Sequence, residues 1–262
     1  MTRRALAAAL VFGASCVALA FLVLPVVAIF ARVPPSRLLS QLSNPAVTDA
    51  LVVSLKTTLL AQALILLLGT PTAWLLARRF RGREALMTLV ELPLVLPPAV
   101  AGLGLLAAFG RTGLLHTSIP FTQAAVVLAV AYVASPLYIR AAIAGFEAVD
   151  PNVVAASRTL GAGPARTFFR VVVPLARGGL VAGAALAFAR GLGEFGATIM
   201  FAGSLRGVTQ TLPLAVYSQF DVDFDIALAV GALLVLVSAA LLVTLKWLPS
   251  ISTSRFRFAT SS

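Results

Sequence analysis

The sequence predicts an all-helical integral membrane protein with six membrane-spanning helices. Of its 262 residues, 60% are hydrophobic and 11% are charged, whereas soluble domains average about a quarter charged residues. The hydrophobic residues fall in blocks of about the 20 residues that a helix needs to cross a bilayer. Because a span within lipid must satisfy its own backbone hydrogen bonds, each block is assigned as a helix.

Six such blocks follow one another along the chain. They are residues 6–30, 51–77, 85–109, 121–144, 179–202 and 224–248. The first block follows Thr2-Arg3-Arg4 and could be a secretory signal peptide. Its apolar stretch is longer than the roughly 7–15 residues typical of a signal peptide, so we expect an uncleaved first span.

Basic residues predict the orientation of the spans. If the amino terminus is cytoplasmic, the cytoplasmic segments hold Arg3, Arg4, Arg78, Arg79, Arg81, Arg83, Arg140, Arg158, Arg166, Arg170, Arg177, Lys246, Arg255 and Arg257. The outside segments then hold Arg32, Arg37, Lys56, Arg111 and Arg206. Cytoplasmic segments of membrane proteins carry this excess of Lys and Arg. With an even number of spans, both termini are predicted to be cytoplasmic.

Composition and motifs exclude several classes of function. The net charge of +11 does not indicate nucleic-acid binding, because the basic residues lie at the ends of apolar blocks, beside anionic headgroups. No phosphate-binding loop is present, and the single His116 supports neither a metal cluster nor a Ser/His/Asp triad. A glycine pattern at 191–196 matches the dinucleotide fingerprint but lies within a predicted span. We therefore expect no catalytic residue, metal or cofactor in this chain.

The longest cytoplasmic connection, residues 145–178, predicts a short helix that ends at a glycine. Asp150 can accept hydrogen bonds from free backbone N–H groups, and Pro151 suits the first helical position. A helix is therefore predicted over residues 152–160. Gly161 can end it, because glycine tolerates the left-handed conformation.

A second short helix is predicted after the glycine. Pro164 can begin it, and Pro174 is expected to end it. Two short helices joined by a turn at Gly161 can transmit force from a partner protein. The arginines of this segment can equally bind lipid headgroups: Arg158, Arg166, Arg170 and Arg177.

This segment resembles the loop through which ABC importer permeases dock on their ATP-hydrolysing subunit. The family carries Glu-Ala-Ala before a glycine and ends the loop at a proline. Here Ala155-Ala156-Ser157 precede Gly161, and Val171-Val172-Val173 precede Pro174 at the family's spacing. Ala155 replaces the usual Glu, so a contact made by that carboxylate would be made otherwise. The resemblance implies docking through Ala155, Ala156, Ser157, Gly161, Val171 and Pro174; the alternative is an amphipathic interfacial segment.

The third predicted span carries a run that a regular helix does not accommodate. Glu91 is followed by Pro93, Pro97 and Pro98, and each proline removes a helical hydrogen bond. Broken backbone within a membrane is tolerated where protein buries it or where it lines a cavity. We therefore expect these four residues to line a pathway; the alternative is a packing kink.

The fifth predicted span carries two ionisable residues, Arg190 and Glu194. Ionisable residues at this depth are costly and usually functional. Since they are four residues apart, they are predicted to pair on one helix face. With Gly193 and Gly196 they are pathway candidates, and a self-neutralising structural pair is the alternative.

Two runs in these spans resemble the permeases of molybdate importers. They are Gly193-Glu194-Phe195-Gly196-Ala197-Thr198, followed by Gly203 and Thr209-Gln210-Thr211-Leu212-Pro213, and the proline-rich run from Leu92 to Pro98. Sulfate permeases share the Gly-Glu-Phe-Gly-Ala core, so this core does not separate them from molybdate permeases. Tungstate permeases resemble molybdate permeases more closely than sulfate permeases do. The resemblance therefore implies an oxyanion substrate, with molybdate first and tungstate or sulfate open.

The resemblance to importer permeases implies an architecture and a set of partners. It implies the type-1 ABC importer permease fold in the inner or plasma membrane, with a first span and outside loop at 1–49, a core at 50–247 and a cytoplasmic tail at 248–262. A homodimer would enclose the pathway between its two copies. Two cytoplasmic ABC ATPase subunits would bind ATP and Mg, and an extracytoplasmic molybdate-binding protein would deliver the anion.

Two other functions remain open at this point. A secondary transporter driven by an ion gradient often contains inverted repeats, and none is evident here. A membrane-anchored assembly subunit would not require a proline-broken span or charges within its helices.

Overall fold

The computed structural model describes residues 3–34, 36, 40 and 44–253, and these residues form helices and loops without a β-strand. In chain order the helices are α1 (Arg3–Arg32), α2 (Pro45–Leu76), α3 (Arg83–Val95), α4 (Pro98–Phe109), α5 (Gln123–Glu147), α6 (Pro151–Thr159), α7 (Pro164–Thr167), α8 (Val173–Leu192), α9 (Gly196–Ala202), α10 (Leu212–Phe220) and α11 (Phe224–Thr253). A π-helical turn, Phe168–Val172, joins α7 to α8. The predicted all-helical class is confirmed for the described residues.

Several helices are suited to a membrane. Four described stretches are long and apolar enough to cross one: Leu10–Arg32, Pro45–Leu76, Gln123–Glu147 and Pro164–Leu192. α3 and α4 pass the same test together, as one broken span bent by 112°. The sixth predicted span falls on α11, whose first part is a shorter apolar stretch, Phe224–Ala240.

The amino-terminal part of α2 extends beyond the predicted second span. Asn44 caps the helix, since its Oδ1 accepts a hydrogen bond from the Ala46 N–H at 3.0 Å. Pro45 occupies the first turn, where a missing N–H is tolerated. Lys56 was counted above among the outside residues, but it lies within the predicted second span and within α2, with an exposed side chain.

The third predicted span is two helices rather than one. α3 ends where the Leu96 N–H donates to the Leu92 carbonyl at 3.1 Å, and Leu96 itself is extended. Pro97 and Pro98 follow, and neither can donate a backbone hydrogen bond that would continue α3. Pro98 instead begins α4. Pro93 does not break the chain, because it lies inside α3.

The prediction that Pro174 ends the second cytoplasmic helix was wrong. One helical stretch runs from Pro164 to Leu192. In its π-helical turn the Val173 N–H donates to the carbonyl of Phe168, five residues earlier. A proline clashes with the carbonyl of a regular α turn before it, and this wider turn explains how the helix continues past Pro174.

The fifth predicted span, 179–202, is also interrupted. α8 ends at Leu192, and α9 begins only at Gly196. The residues between them form a break in the helix, so Arg190 and Glu194 do not lie on one helix face as predicted. Arg190 belongs to the last turn of α8, and Glu194 follows the end of that helix.

Glycines bring α5 and α8 into close contact at the centre of the fold. A Cβ on Gly179 would lie 2.6 Å from the Gly145 Cα and 2.7 Å from the Ala141 carbonyl oxygen. A Cβ on Gly183 would lie 2.9 Å from the Tyr138 carbonyl oxygen. Small residues allow membrane helices to pack this closely. The backbones of α5 and α8 are therefore closely packed, and this is the most extensive contact between described helices.

Candidate functional site

The predicted docking segment forms a compact unit, residues 151–167, which we call the elbow. Its first helix, α6, begins as predicted: the Asn152 N–H donates to Asp150 Oδ1 at 2.8 Å, and Pro151 lies in the first turn. An aspartate cap also places negative charge at the positive end of the helix dipole. Local sequence alone therefore determines where the elbow starts.

Gly161 ends α6 in the predicted left-handed conformation, with a φ of +86°. The Ala162 N–H donates to the Ser157 carbonyl at 3.1 Å, and the Gly161 N–H donates to the Arg158 carbonyl at 3.0 Å. These two bonds satisfy carbonyls that the end of a helix otherwise leaves free. The turn is consequently held by backbone geometry that favours glycine.

A hydroxyl pair holds the two helices of the elbow together. Ser157 Oγ lies 3.3 Å from Thr167 Oγ1, and Thr167 is 2% exposed. ABC importer permeases, which this segment resembles, usually have alanine at the position of Ser157. The substitution thus adds a link between α6 and α7 that alanine would lack.

The elbow exposes several apolar side chains beside its arginines. Leu160 is 88% exposed, and Ala155 and Ala156 lie on the exposed surface of α6. A cavity of about 480 Å³ is lined by Val153, Ala156, Ser157, Leu160, Ala162, Arg166 and Val171. Pro174 is exposed further along, in α8. An exposed apolar surface around a concavity is typical of a protein-binding site.

An aromatic cluster, which the sequence alone did not reveal, joins the elbow to the membrane helices. The ring centroids of Trp74 and Phe146 are 5.2 Å apart, and those of Trp74 and Phe168 are 5.3 Å apart. The Arg78 guanidinium lies 4.7 Å from the Trp74 ring centroid, within the range of a cation–π contact. The cluster connects α2 and α5 to the π-helical turn that directly follows the elbow.

The two breaks within the predicted spans lie side by side. A Cβ on Gly196 would lie 2.9 Å from the Pro98 Cβ and 3.1 Å from the Ala99 nitrogen. A Cβ on Gly102 would lie 2.6 Å from the Ala197 carbonyl oxygen. α4 and α9 are thus in close contact at their first turns. The structure thus places Gly196 directly against Pro98, and Pro97, Gly193 and Glu194 are neighbours of these two residues in sequence.

Glu194 bridges the break between α8 and α9. Its Oε2 lies 2.7 Å from Arg190 Nη1, and its Oε1 accepts a hydrogen bond from the Ala197 N–H at 2.8 Å. The Glu194 side chain is 1% exposed and that of Arg190 is 34% exposed. The predicted pairing is therefore present, although the carboxylate reaches back from the break instead of lying on the helix.

The remaining predicted pathway residues lie on α3. Glu91 Oε1 is 3.4 Å from Arg140 Nε on α5, and both side chains are partly exposed. Two turns earlier, Arg83 Nη2 is 2.7 Å from Glu147 Oε1. The two ion pairs hold α3 along α5, and half-buried Pro93 lies just beyond them on α3.

The run that contains Thr209 and Gln210 forms a buried polar loop before α10. Gln210 Nε2 donates to Ser204 Oγ at 3.2 Å and to Ser218 Oγ at 3.0 Å. The Leu212 N–H donates to Ser54 Oγ on α2 at 2.7 Å. These bonds give this loop a structural role. Among the described residues, no group of His, Cys, Asp and Glu side chains could hold a metal ion.

Comparisons with known proteins agree on one type of transport component. The family described as "Binding-protein-dependent transport system inner membrane component" matches residues 65–257. The Molybdenum transport system permease protein ModB of Mycobacterium tuberculosis is 47% identical over 231 residues, which cover 84% of this chain and 86% of the relative. ModB of Escherichia coli K12 is 39% identical over 218 residues, 79% of this chain and 95% of the relative.

The fold is also found in a solved structure. A bacterial ABC transporter involved in the import of the acidic polysaccharide alginate superimposes with a TM-score of 0.71. The match covers 97% of each chain at 17% identity. The arrangement of helices is therefore shared with an ABC transporter.

Proposed function

Because the chain belongs to the family of binding-protein-dependent transport system inner membrane components, we propose that it is the permease subunit of an ATP-driven importer of molybdate. Members of this family are transport components, and ATP hydrolysis takes place on a separate subunit. The observation that carries the substrate is the 47% identity, over 84% of the chain, to a relative named as a molybdenum transport permease.

In this proposal the chain crosses the inner membrane six times, with both termini in the cytoplasm. Residues 1–49 supply the first span and an outside loop, residues 50–247 the permease core, and residues 248–262 a cytoplasmic tail. The excess of basic residues on the cytoplasmic side supports this orientation. α3 and α4 together count as the third span, and α11 supplies the sixth.

The elbow, together with Val171 and Pro174 that follow it, docks on a cytoplasmic ABC ATPase, which binds ATP and Mg. Two features support this role: the 88% exposure of Leu160 and the cavity of about 480 Å³ beside it. The docking residues are Ala155, Ala156, Ser157, Gly161, Val171 and Pro174. Because the aromatic cluster joins the elbow to α2 and α5, movement of the ATPase reaches the membrane helices.

The adjacent breaks after α3 and α8 line the translocation pathway, which lies between two copies of the chain. Broken backbone at membrane depth is tolerated where it is buried in protein or lines a cavity. The residues of this lining region are Glu91, Pro93, Pro97, Pro98, Arg190, Gly193, Glu194 and Gly196; within it the Glu194 side chain is buried against Arg190. An extracytoplasmic binding protein delivers the anion, and ATP binding shifts the permease between inward-open and outward-open states.

The test is ATP hydrolysis by this chain reconstituted with its own ATPase and binding protein, titrated with molybdate, tungstate and sulfate. We expect micromolar molybdate to stimulate hydrolysis and sulfate to have no effect. Stimulation by tungstate or sulfate alone would retain the importer and change its substrate. Uptake driven by an ion gradient without ATP would instead establish a secondary transporter.

A further inference from the structure

The ion pair at the break after α8 leaves most of the hydrogen-bonding capacity of Arg190 unused. A guanidinium has five N–H donors. Arg190 Nη1 approaches Glu194 Oε2 to 2.7 Å. That oxygen nevertheless accepts no aligned hydrogen bond from any described residue. Nη1 of Arg190 is thus in ion-pair contact with Glu194, and no described residue accepts a hydrogen bond from the remaining N–H donors of Arg190.

The surroundings of the pair give a ligand access to Arg190 but not to Glu194. A third of the Arg190 side chain is exposed (34%), whereas the Glu194 side chain is 1% exposed. Gly193 lies between them, is exposed, and has no side chain to cover the pair. Glu194 is also held by the Ala197 N–H, so it is fixed in place. Arg190 is therefore the member of the pair that a molecule in the pathway can contact.

We propose that Arg190 is the cationic contact for the tetrahedral oxyanion during its passage, and that Glu194 is the positioning residue that limits how tightly the anion is held. This inference rests on the proposed transport function and deepens it. An arginine fork is suited to oxyanions, because its planar donors can bond two oxygens at once.

The carboxylate of Glu194 allows the anion to dissociate from Arg190. An uncompensated guanidinium that is two-thirds buried would attract a doubly charged anion strongly, since partly buried charges interact more strongly than charges in bulk water. A transport site must bind its ion weakly enough for the ion to leave. Glu194 lowers the net charge of the site while leaving the donors of Arg190 free, so the site recognises the anion without trapping it.

The experiment compares R190K, E194Q and R190Q/E194Q with the wild type, each in the full complex with its ATPase and binding protein. R190K keeps the charge that compensates Glu194, so folding is preserved, but lysine lacks the planar fork. E194Q keeps the shape of the side chain and removes its charge. R206K is the matched control, because Arg206 pairs with Asp49 at 3.6 Å on the exposed surface.

Two quantities are measured: the uptake of radiolabelled molybdate per ATP hydrolysed in proteoliposomes, and the molybdate retained by the complex after gel filtration. We expect R190K to lower uptake per ATP by about tenfold, with R206K unchanged. We expect E194Q to raise retained molybdate by about tenfold. R190Q/E194Q should abolish that rise, because the cation is then absent.

The outcomes separate this inference from the proposed function. Wild-type uptake per ATP in R190K, or unchanged retention in E194Q, overturns the role of the pair while the importer stands. Retention in R190Q/E194Q equal to that in E194Q also overturns it, since the anion would then be held elsewhere. If the wild-type complex imports no molybdate, the proposed function fails first.

Discussion

At the scale of single residues, Gly161 has the clearest physical requirement. Its φ of +86° lies in the left-handed region, where a residue with a Cβ is disfavoured by about 1–2 kcal/mol. No atom lies within 4 Å of the position that a Cβ would occupy. The requirement is therefore set by the backbone turn and not by packing.

We expect G161V to uncouple ATP hydrolysis from uptake. A β-branched residue would resist the left-handed turn and reorient α6 relative to α7, so the elbow would no longer fit the ATPase. The measurement is the ratio of molybdate uptake to ATP hydrolysis in proteoliposomes, which we expect to fall several-fold. G163V is the control, because Gly163 has a φ of −64° and open space around it. Normal coupling in G161V would contradict the docking role of the elbow.

Residues whose roles are set by their neighbours in sequence could be predicted, and the others could not. The cap at Asp150 and the turn at Gly161 depend on three or four successive residues, so the sequence was sufficient. The bond between Ser157 and Thr167 requires two helices to fold back on each other, and sequence spacing carries no sign of that. The Arg190–Glu194 pair was predicted from helical spacing, yet it forms across a break in the helix.

At the scale of helices, the contact between α5 and α8 depends on the absence of side chains. Gly179 and Gly145 face each other across this contact, and any added carbon would meet backbone atoms. Backbone cannot move aside as the end of a flexible side chain can. The separation of the two helices is therefore fixed by these glycines.

We expect G179A to lower the thermal unfolding midpoint of the purified protein. The new Cβ would lie 2.6 Å from the Gly145 Cα, and overpacking of this kind costs about 1–3 kcal/mol. The adjacent G178A is the matched control, because nothing lies within 4 Å of its Cβ position; its midpoint should stay within a degree or two of wild type. Equal midpoints for the two variants would show that α5 and α8 separate easily.

The length of an apolar block predicts a membrane span, but it does not show where the helix breaks within that block. The block at 85–109 is mostly apolar and has Glu91 as its one charged residue, so hydropathy indicates one span, whereas the chain turns by 112° at Pro97 and Pro98. The direction after a break depends on what the second helix packs against. Here α4 packs on α9, more than ninety residues later in the chain, through contacts of Gly102 and Gly196. A contact between helices this far apart in the chain cannot be predicted from the sequence of either helix alone.

At the scale of the whole molecule, the amino-terminal helix differs from the rest. The apolar part of α1, Leu10–Arg32, has none of its most apolar window buried within the chain. The helix that α1 contacts most is α11. We therefore expect α1 to be covered by lipid or by another subunit, and the remaining helices to form the transport core.

Single-cysteine labelling would test the orientation and the number of spans. The chain has one Cys, so C16S provides a cysteine-free background. L114C and L160C then place a thiol at sites that are 84% and 88% exposed. We expect a membrane-impermeant maleimide to label L114C in intact spheroplasts and L160C only after permeabilisation. Labelling of L114C only after permeabilisation would make α3 and α4 a re-entrant hairpin and contradict six spans.

The π-helical turn has a consequence for how the long helix from Pro164 to Leu192 presents its two ends. Each residue of an α-helix advances about 100° around the axis, and a π turn adds one residue to that count. The elbow end and the Arg190 end are therefore offset by about a quarter turn from the phase of an uninterrupted helix. Without this extra residue, Arg190 would face a direction about a quarter turn away from the one it takes relative to the elbow.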